Sequence, residues 1–141
     1  MKKNIMFITI LILMLTTVVL FSVIKKKSVK ISEENSSTEI YRKITSEEAA
    51  QIMANEKNYI IVDVRTQNEY MEGHIPNAVS IPLNTIGDSE IRELPDKNQL
   101  IMVYCRSGSR SRQAVLKLIK KGYTNVIDFG GINSWTGEII K

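Results

Sequence analysis

Leu100-Ile101-Met102-Val103-Tyr104-Cys105-Arg106-Ser107-Gly108-Ser109-Arg110 passes from an apolar run into a polar loop. Its first five residues are apolar without alternation, as in a strand covered on both faces. A short polar turn with one glycine follows. Ser111 to Lys121 then reads as a helix. Ala114, Val115, Leu118 and Ile119 fall on one face of it, and Gly122 marks its stop. A buried strand, a tight loop and an amphipathic helix make the repeating unit of a parallel sheet.

The flanking sequence alternates in the same way. Thr45 and Glu48 form a capping box that opens a short helix through Ala49, Ala50, Ile52 and Met53. Tyr59 to Val64 is apolar except for Asp63, and Thr66 with Glu69 makes a second capping box. Val79 to Ile81 reads as a short strand and Ile91 to Leu94 as a helical turn. Val126 and Ile127 form a last short strand, and Ile132 to Ile140 a closing helix. The expectation is an α/β fold, a mostly parallel sheet with helices on both faces.

The 141 residues divide into three parts. Ile5 to Ile24 carries no charge, Pro or Gly, and at 1.5 Å per residue spans roughly 30 Å, the thickness of a hydrocarbon core. It is read, with its basic flanks, as a membrane anchor over residues 1–27. A cleaved signal peptide is the alternative, but the run exceeds the usual apolar segment of one and lacks an Ala-x-Ala-like site. Residues 28–39 are polar and suit a flexible tether. The folded domain occupies residues 40–141. Lys2 and Lys3 before the span, against Lys25, Lys26, Lys27 and Lys30 after it, give nearly balanced votes on orientation. The short basic N-terminus favours a single-pass protein whose domain lies outside the cytoplasm.

Charge excludes one class of partner. The chain has 19 Lys+Arg against 15 Asp+Glu, but six of those lysines lie in the first 30 residues. The remainder is slightly acidic, so nucleic acid is not an expected partner. One cysteine permits no internal disulfide and no cysteine-rich zinc site, and the single histidine, His74, builds no metal site alone.

Cys105 carries the chemistry. It stands at the carboxyl end of the most buried strand, where open α/β sheets place their sites. The loop Arg106, Ser107, Gly108, Ser109, Arg110 leads into a helix N-terminus and turns several N–H groups toward one point. Gly108 permits the backbone this requires. The helix dipole, the N–H groups and the charges of Arg106 and Arg110 are expected to lower the thiol pKa, leaving a thiolate poised beside an anion cradle. Against this stands a plainer reading, a small buried cysteine beside a solvated turn. The strand–Cys–loop–helix context favours catalysis.

Three motifs then carry a resemblance. Asp63-Val64-Arg65, Glu69-Tyr70 and Gly73-His74-Ile75-Pro76-Asn77-Ala78 resemble the N-terminal signature of the rhodanese family. Cys105-Arg106-Ser107-Gly108-Ser109-Arg110 looks like its active-site loop, and Phe129-Gly130-Gly131-Ile132-Asn133-Ser134-Trp135 is similar to its Gly-Gly…Trp signature. The resemblance implies a rhodanese-like fold and a ping-pong sulfurtransferase. Cys105 would take sulfane sulfur from a small anionic donor such as thiosulfate and pass it from a persulfide to cyanide or a thiol. No metal or organic cofactor is implied. Cys105 matches the nucleophile and Arg106 to Arg110 the cradle, with both arginines as anion-binding side chains. Asp63, Arg65 and Glu69 are expected to be structural support, Arg65 and Glu69 as an ion pair. His74 is expected to be hydrogen-bonded in a turn, and Gly130, Gly131 and Trp135 to be packing residues.

Two other functions fit parts of the pattern. Cys-based phosphatases and arsenate reductases need five residues between Cys and Arg. Arg110 leaves four and Arg112 six. A non-enzymatic sulfur carrier or redox sensor is the other.

Overall fold

The computed structural model describes residues 41–141. The anchor and tether expected over residues 1–39 lie outside the described residues. Among the described residues, no helix is long and apolar enough to cross a membrane.

The elements follow in the order β1 (Arg42–Lys43), α1 (Ser46–Asn55), β2 (Tyr59–Asp63), α2 (Gln67–Glu72), β3 (Ala78–Ser80), a 3-10 turn (Leu83–Thr85), β4 (Leu100–Cys105), α3 (Ser109–Lys120), β5 (Val126–Gly131) and a second 3-10 turn (Ile132–Ser134). Five parallel strands form one sheet in the order β1-β5-β4-β2-β3. The order reverses between β2 and β4, so the crevice beyond their carboxyl ends is the switch point where such sheets bind ligands.

Both capping boxes form. The Thr45 hydroxyl accepts from Glu48 N–H and the Thr66 hydroxyl from Glu69 N–H, with each glutamate reaching back to the cap. The strands alternate between two cores. Val62, Ile101, Val103 and Cys105 face Ala114, Val115 and Leu118 of α3. Ile61, Met102, Tyr104 and Phe129 face Ala49 of α1, with Ile75 beside them. This two-sided covering is what the uninterrupted apolar run of β4 requires.

Three expectations need correction, and the turn over Ile91 to Leu94 forms. The central helix starts at Ser109, two residues early, because Gly108 adopts the left-handed conformation (φ 101°) and turns the chain directly into α3. β5 runs on through Asp128 to Gly131, since Asp128 is wholly buried and its carboxylate accepts from both Gly130 N–H and the Tyr41 hydroxyl. The helix expected over Ile132 to Ile140 is a single 3-10 turn. The chain then extends to an antiparallel bridge between Ile140 and His74. Ile91 to Leu94 makes one hydrogen-bonded turn, Leu94 N–H to Ile91 O, ahead of Pro95.

Candidate active site

Cys105 ends β4 at the switch point and is 1% exposed. Its Sγ lies on the floor of the loop Arg106–Arg110. Gly108 N–H donates to Sγ at 3.1 Å, and the Ser111 hydroxyl lies 3.8 Å away. Burial by itself raises the thiol pKa. The N–H groups of Ser111, Gly108 and Ser107, with the Ser111 hydroxyl, outweigh it and set the pKa below the ordinary 9.0. The loop is thus a nest of amides closing around one atom.

The two arginines differ. Arg110 is committed to Glu69 through paired bonds of 2.6 and 2.8 Å, both side chains being about a quarter to a third exposed. Arg106 is exposed and makes no ion pair among the described residues. Backbone amides lead in lowering the thiol pKa, and the charge of Arg110, though paired with Glu69, also interacts with Cys105.

The expected Arg65–Glu69 pair does not form. Arg65 turns back on Asp63, with three guanidinium contacts of 2.6 to 3.0 Å, and donates to Gly73 O at 2.7 Å. Asp63 also accepts Arg65 N–H at 2.9 Å. Both residues are buried, and a buried charge needs its counter-ion close. Glu69, in the first turn of α2, faces the loop instead. His74 stacks on Tyr70 with ring centroids 3.7 Å apart, and its Nδ1 lies 3.0 Å from Tyr70 O. Trp135 packs toward Phe129, and its indole N–H donates to Glu138 O.

The glycine pair backs the cradle. A Cβ on Gly131 would come within 2.6 Å of Ser107 Cα and closer still to Arg106 O. Gly130 O accepts from the Ser111 hydroxyl at 3.3 Å, and Asn133 N–H donates to Arg106 O at 3.3 Å. Beside the loop, a cleft of about 370 Å³ is bordered by Val64, Arg65, Pro82, Leu83 and Arg110. A larger groove of about 640 Å³, near Lys97, Lys121 and Tyr123, sits at the opposite end of α3 from Cys105.

Sequence reasoning missed Ser111 and Asp128. Ser111 looked like a helix-opening serine. Asp128 was detectable as a lone carboxylate next to an apolar strand, a placement that demands a partner.

The structure is thus a parallel α/β domain with an amide-lined cysteine loop at its switch point. The chain matches the model for the rhodanese-like domain over residues 45–138 and belongs to that family. It is 39% identical over 93 residues to a sulfurtransferase of Allochromatium vinosum, covering 65% of this chain and 85% of that one. It is 38% identical over 71 residues to the thiosulfate sulfurtransferase PspE of Escherichia coli, covering 50% and 68%. A rhodanese-like domain protein from Staphylococcus aureus superposes with a TM-score of 0.60 at 35% identity, covering 69% and 93%. Other relatives are longer, and the chain spans 22–23% of their length. These likenesses support sulfur transfer in general.

Proposed function

We propose that this protein moves sulfane sulfur from a small anionic donor such as thiosulfate to cyanide or a thiol through a persulfide on Cys105. The convergence of amides on a buried Sγ carries the reading. The Cys105 thiolate attacks the outer sulfur of thiosulfate. A new S–S bond forms at Cys105, the old one breaks, and sulfite leaves with its electron pair. The persulfide keeps one negative charge, which the N–H groups of Ser107, Gly108 and Ser111 are placed to stabilise. Cyanide then attacks the terminal sulfur, thiocyanate departs and the thiolate returns. Exposed Arg106 supplies positive charge at the mouth of the loop for an incoming anion.

A phosphatase or arsenate reductase reading lacks a free arginine at the spacing it needs. Arg110 is held by Glu69, and the Arg112 guanidinium lies 5.8 Å from the centre of the Tyr41 ring. A sulfur-carrier reading draws on the burial of Cys105, which favours holding a sulfur over rapid turnover. Intact-mass measurement after thiosulfate decides. One added sulfur atom, removed by cyanide with thiocyanate released on every cycle, supports the enzyme. One added sulfur that persists with slow release supports the carrier. No added sulfur, or turnover by Cys105→Ser, sinks both.

The proposal includes the tether. The uncharged run Ile5 to Ile24 would hold the domain at a membrane, outside the cytoplasm.

A further inference from the structure

Asp128 is a wholly buried charge that the chemistry above leaves unused. It stands on β5 at the one irregularity of the sheet. Val103 pairs with Asp128 and Cys105 with Gly131, so two steps along β4 match three along β5. The extra residue makes a β-bulge, a device that re-aims a strand beside a site. Gly130 takes φ 89° within it, a conformation that glycine supplies without steric cost.

The Asp128 side chain spans this bulge. Its Oδ1 accepts Gly130 N–H at 2.9 Å. Its Oδ2 accepts the Tyr41 hydroxyl at 2.5 Å, a short charge-assisted bond. Beyond the bulge, Gly130 O receives the Ser111 hydroxyl, and Gly131 lies directly against Arg106 and Ser107. The Ser111 hydroxyl shares its one proton between Gly108 O at 3.0 Å and Gly130 O at 3.3 Å, and its oxygen lies 3.8 Å from Cys105 Sγ, so contacts run from Tyr41 through Asp128, Gly130 and Ser111 to the thiol.

We propose that the Tyr41–Asp128 pair is a positioning device for the sulfur cradle: it pins the β5 bulge, which sets the Ser111 hydroxyl and the seat of the Arg106–Ser107 backbone around Cys105. Asp128 acts through Gly130 and does not touch the reacting sulfur. Its work is geometric, an acceptor held at a fixed place. The Tyr41 phenol is pushed up to about 12, by burial first and then by Asp128, so it stays a donor at ordinary pH. The inference rests on Cys105 being the reactive group, and its readout, alkylation of the thiol, needs no sulfur transfer.

The test uses the full chain in Asp128→Ala, Asp128→Asn and Tyr41→Phe forms. The pH profile of Cys105 alkylation by iodoacetamide is measured, with thermal melts as a check on folding. Asp128→Ala should move the midpoint upward by about one unit, the size of losing one N–H bond to the thiolate as the Arg106–Ser107 backbone leaves its seat on Gly131. Tyr41→Phe should move it the same way by less. Asp128→Asn keeps an acceptor for Gly130 N–H and should stay near wild type. A wild-type profile in folded Asp128→Ala overturns the proposal. So does an asparagine variant as impaired as the alanine one. If Asp128→Ala does not fold, Tyr41→Phe decides, because it removes only one hydroxyl, and a wild-type profile there overturns the pair.

Discussion

Glu69 grips Arg110 across 41 positions of sequence, joining the first turn of α2 to the first turn of α3 through two hydrogen bonds. The bond ties the end of the cysteine loop to the neighbouring crossover. Arg110 thereby becomes a strut of the loop, and Arg106 is left as the exposed cation beside Cys105.

The pair should be visible in the acid limb of stability. Arg110, first, and then Thr66 hold the Glu69 carboxyl at about 2 against the ordinary 4.5, although burial opposes them. A folded-state pKa below the unfolded one stabilises above the unfolded value and is lost as pH falls through the folded one. Glu69→Gln should therefore melt earlier than wild type at neutral pH, by an amount on the order of 1 kcal/mol for a partly exposed pair. The difference should shrink from pH 4.5 down to about 2. Melting curves that stay equally far apart across this range would refute the assignment.

Ser111→Ala should raise the Cys105 pKa. The variant loses the hydroxyl that lies 3.8 Å from Sγ and helps lower its pKa, while keeping the Ser111 N–H. Alanine suits the helix, and Gly108 O retains its bond from Arg112 N–H, so the fold should survive. The alkylation midpoint should rise by about one unit, and thiocyanate formation should fall about tenfold at neutral pH. An unchanged midpoint would show that the amides alone hold the sulfur.

Gly131→Ala tests the backing of the cradle. Its φ of −130° is ordinary, so any cost comes from the collision with Arg106 and Ser107. The backbone there must move, at about 1–3 kcal/mol for overpacking. Persulfide yield by intact mass should drop along with melting temperature. A variant that loads sulfur like wild type would mean that the loop adapts freely.

Arg106→Ala and Arg110→Ala should separate. Arg106→Ala should raise KM for thiosulfate about ten- to a hundredfold with melting unchanged, as for one lost charge-assisted contact. Arg110→Ala should lower the melting temperature as well, because Glu69 loses its partner. Normal thiosulfate kinetics in Arg106→Ala would leave the backbone as the only anion binder.

Place is tested by protease shaving of intact cells, with detection of the domain before and after lysis. Loss from intact cells supports the outside orientation expected from Lys2, Lys3 and Ile5 to Ile24. Protection until lysis reverses it. An impermeant thiol reagent is the weaker probe here, since Cys105 is almost wholly covered and such reagents are bulkier than iodoacetamide.

The local units were legible in the order of the residues. The apolar run of β4, the two capping boxes and the stripe Ala114, Val115, Leu118 name strand, helix starts and helix face, because each depends on neighbours a few residues away. Cys105 was legible for the same reason, being the residue between a buried strand and a helix. The partners were not legible. Arg65 has an acid at Asp63 and another at Glu69, and spacing alone favoured the helical interval over the buried one. Only the tertiary structure decided that Asp63 takes Arg65 and Glu69 takes Arg110. The same holds for Tyr41 and Asp128, 87 positions apart, and for Gly131 beneath the cysteine loop. Contacts between distant segments leave no period in the sequence. They arise when the sheet brings strand ends together, and each buried charge or donor then bonds the nearest group that satisfies it.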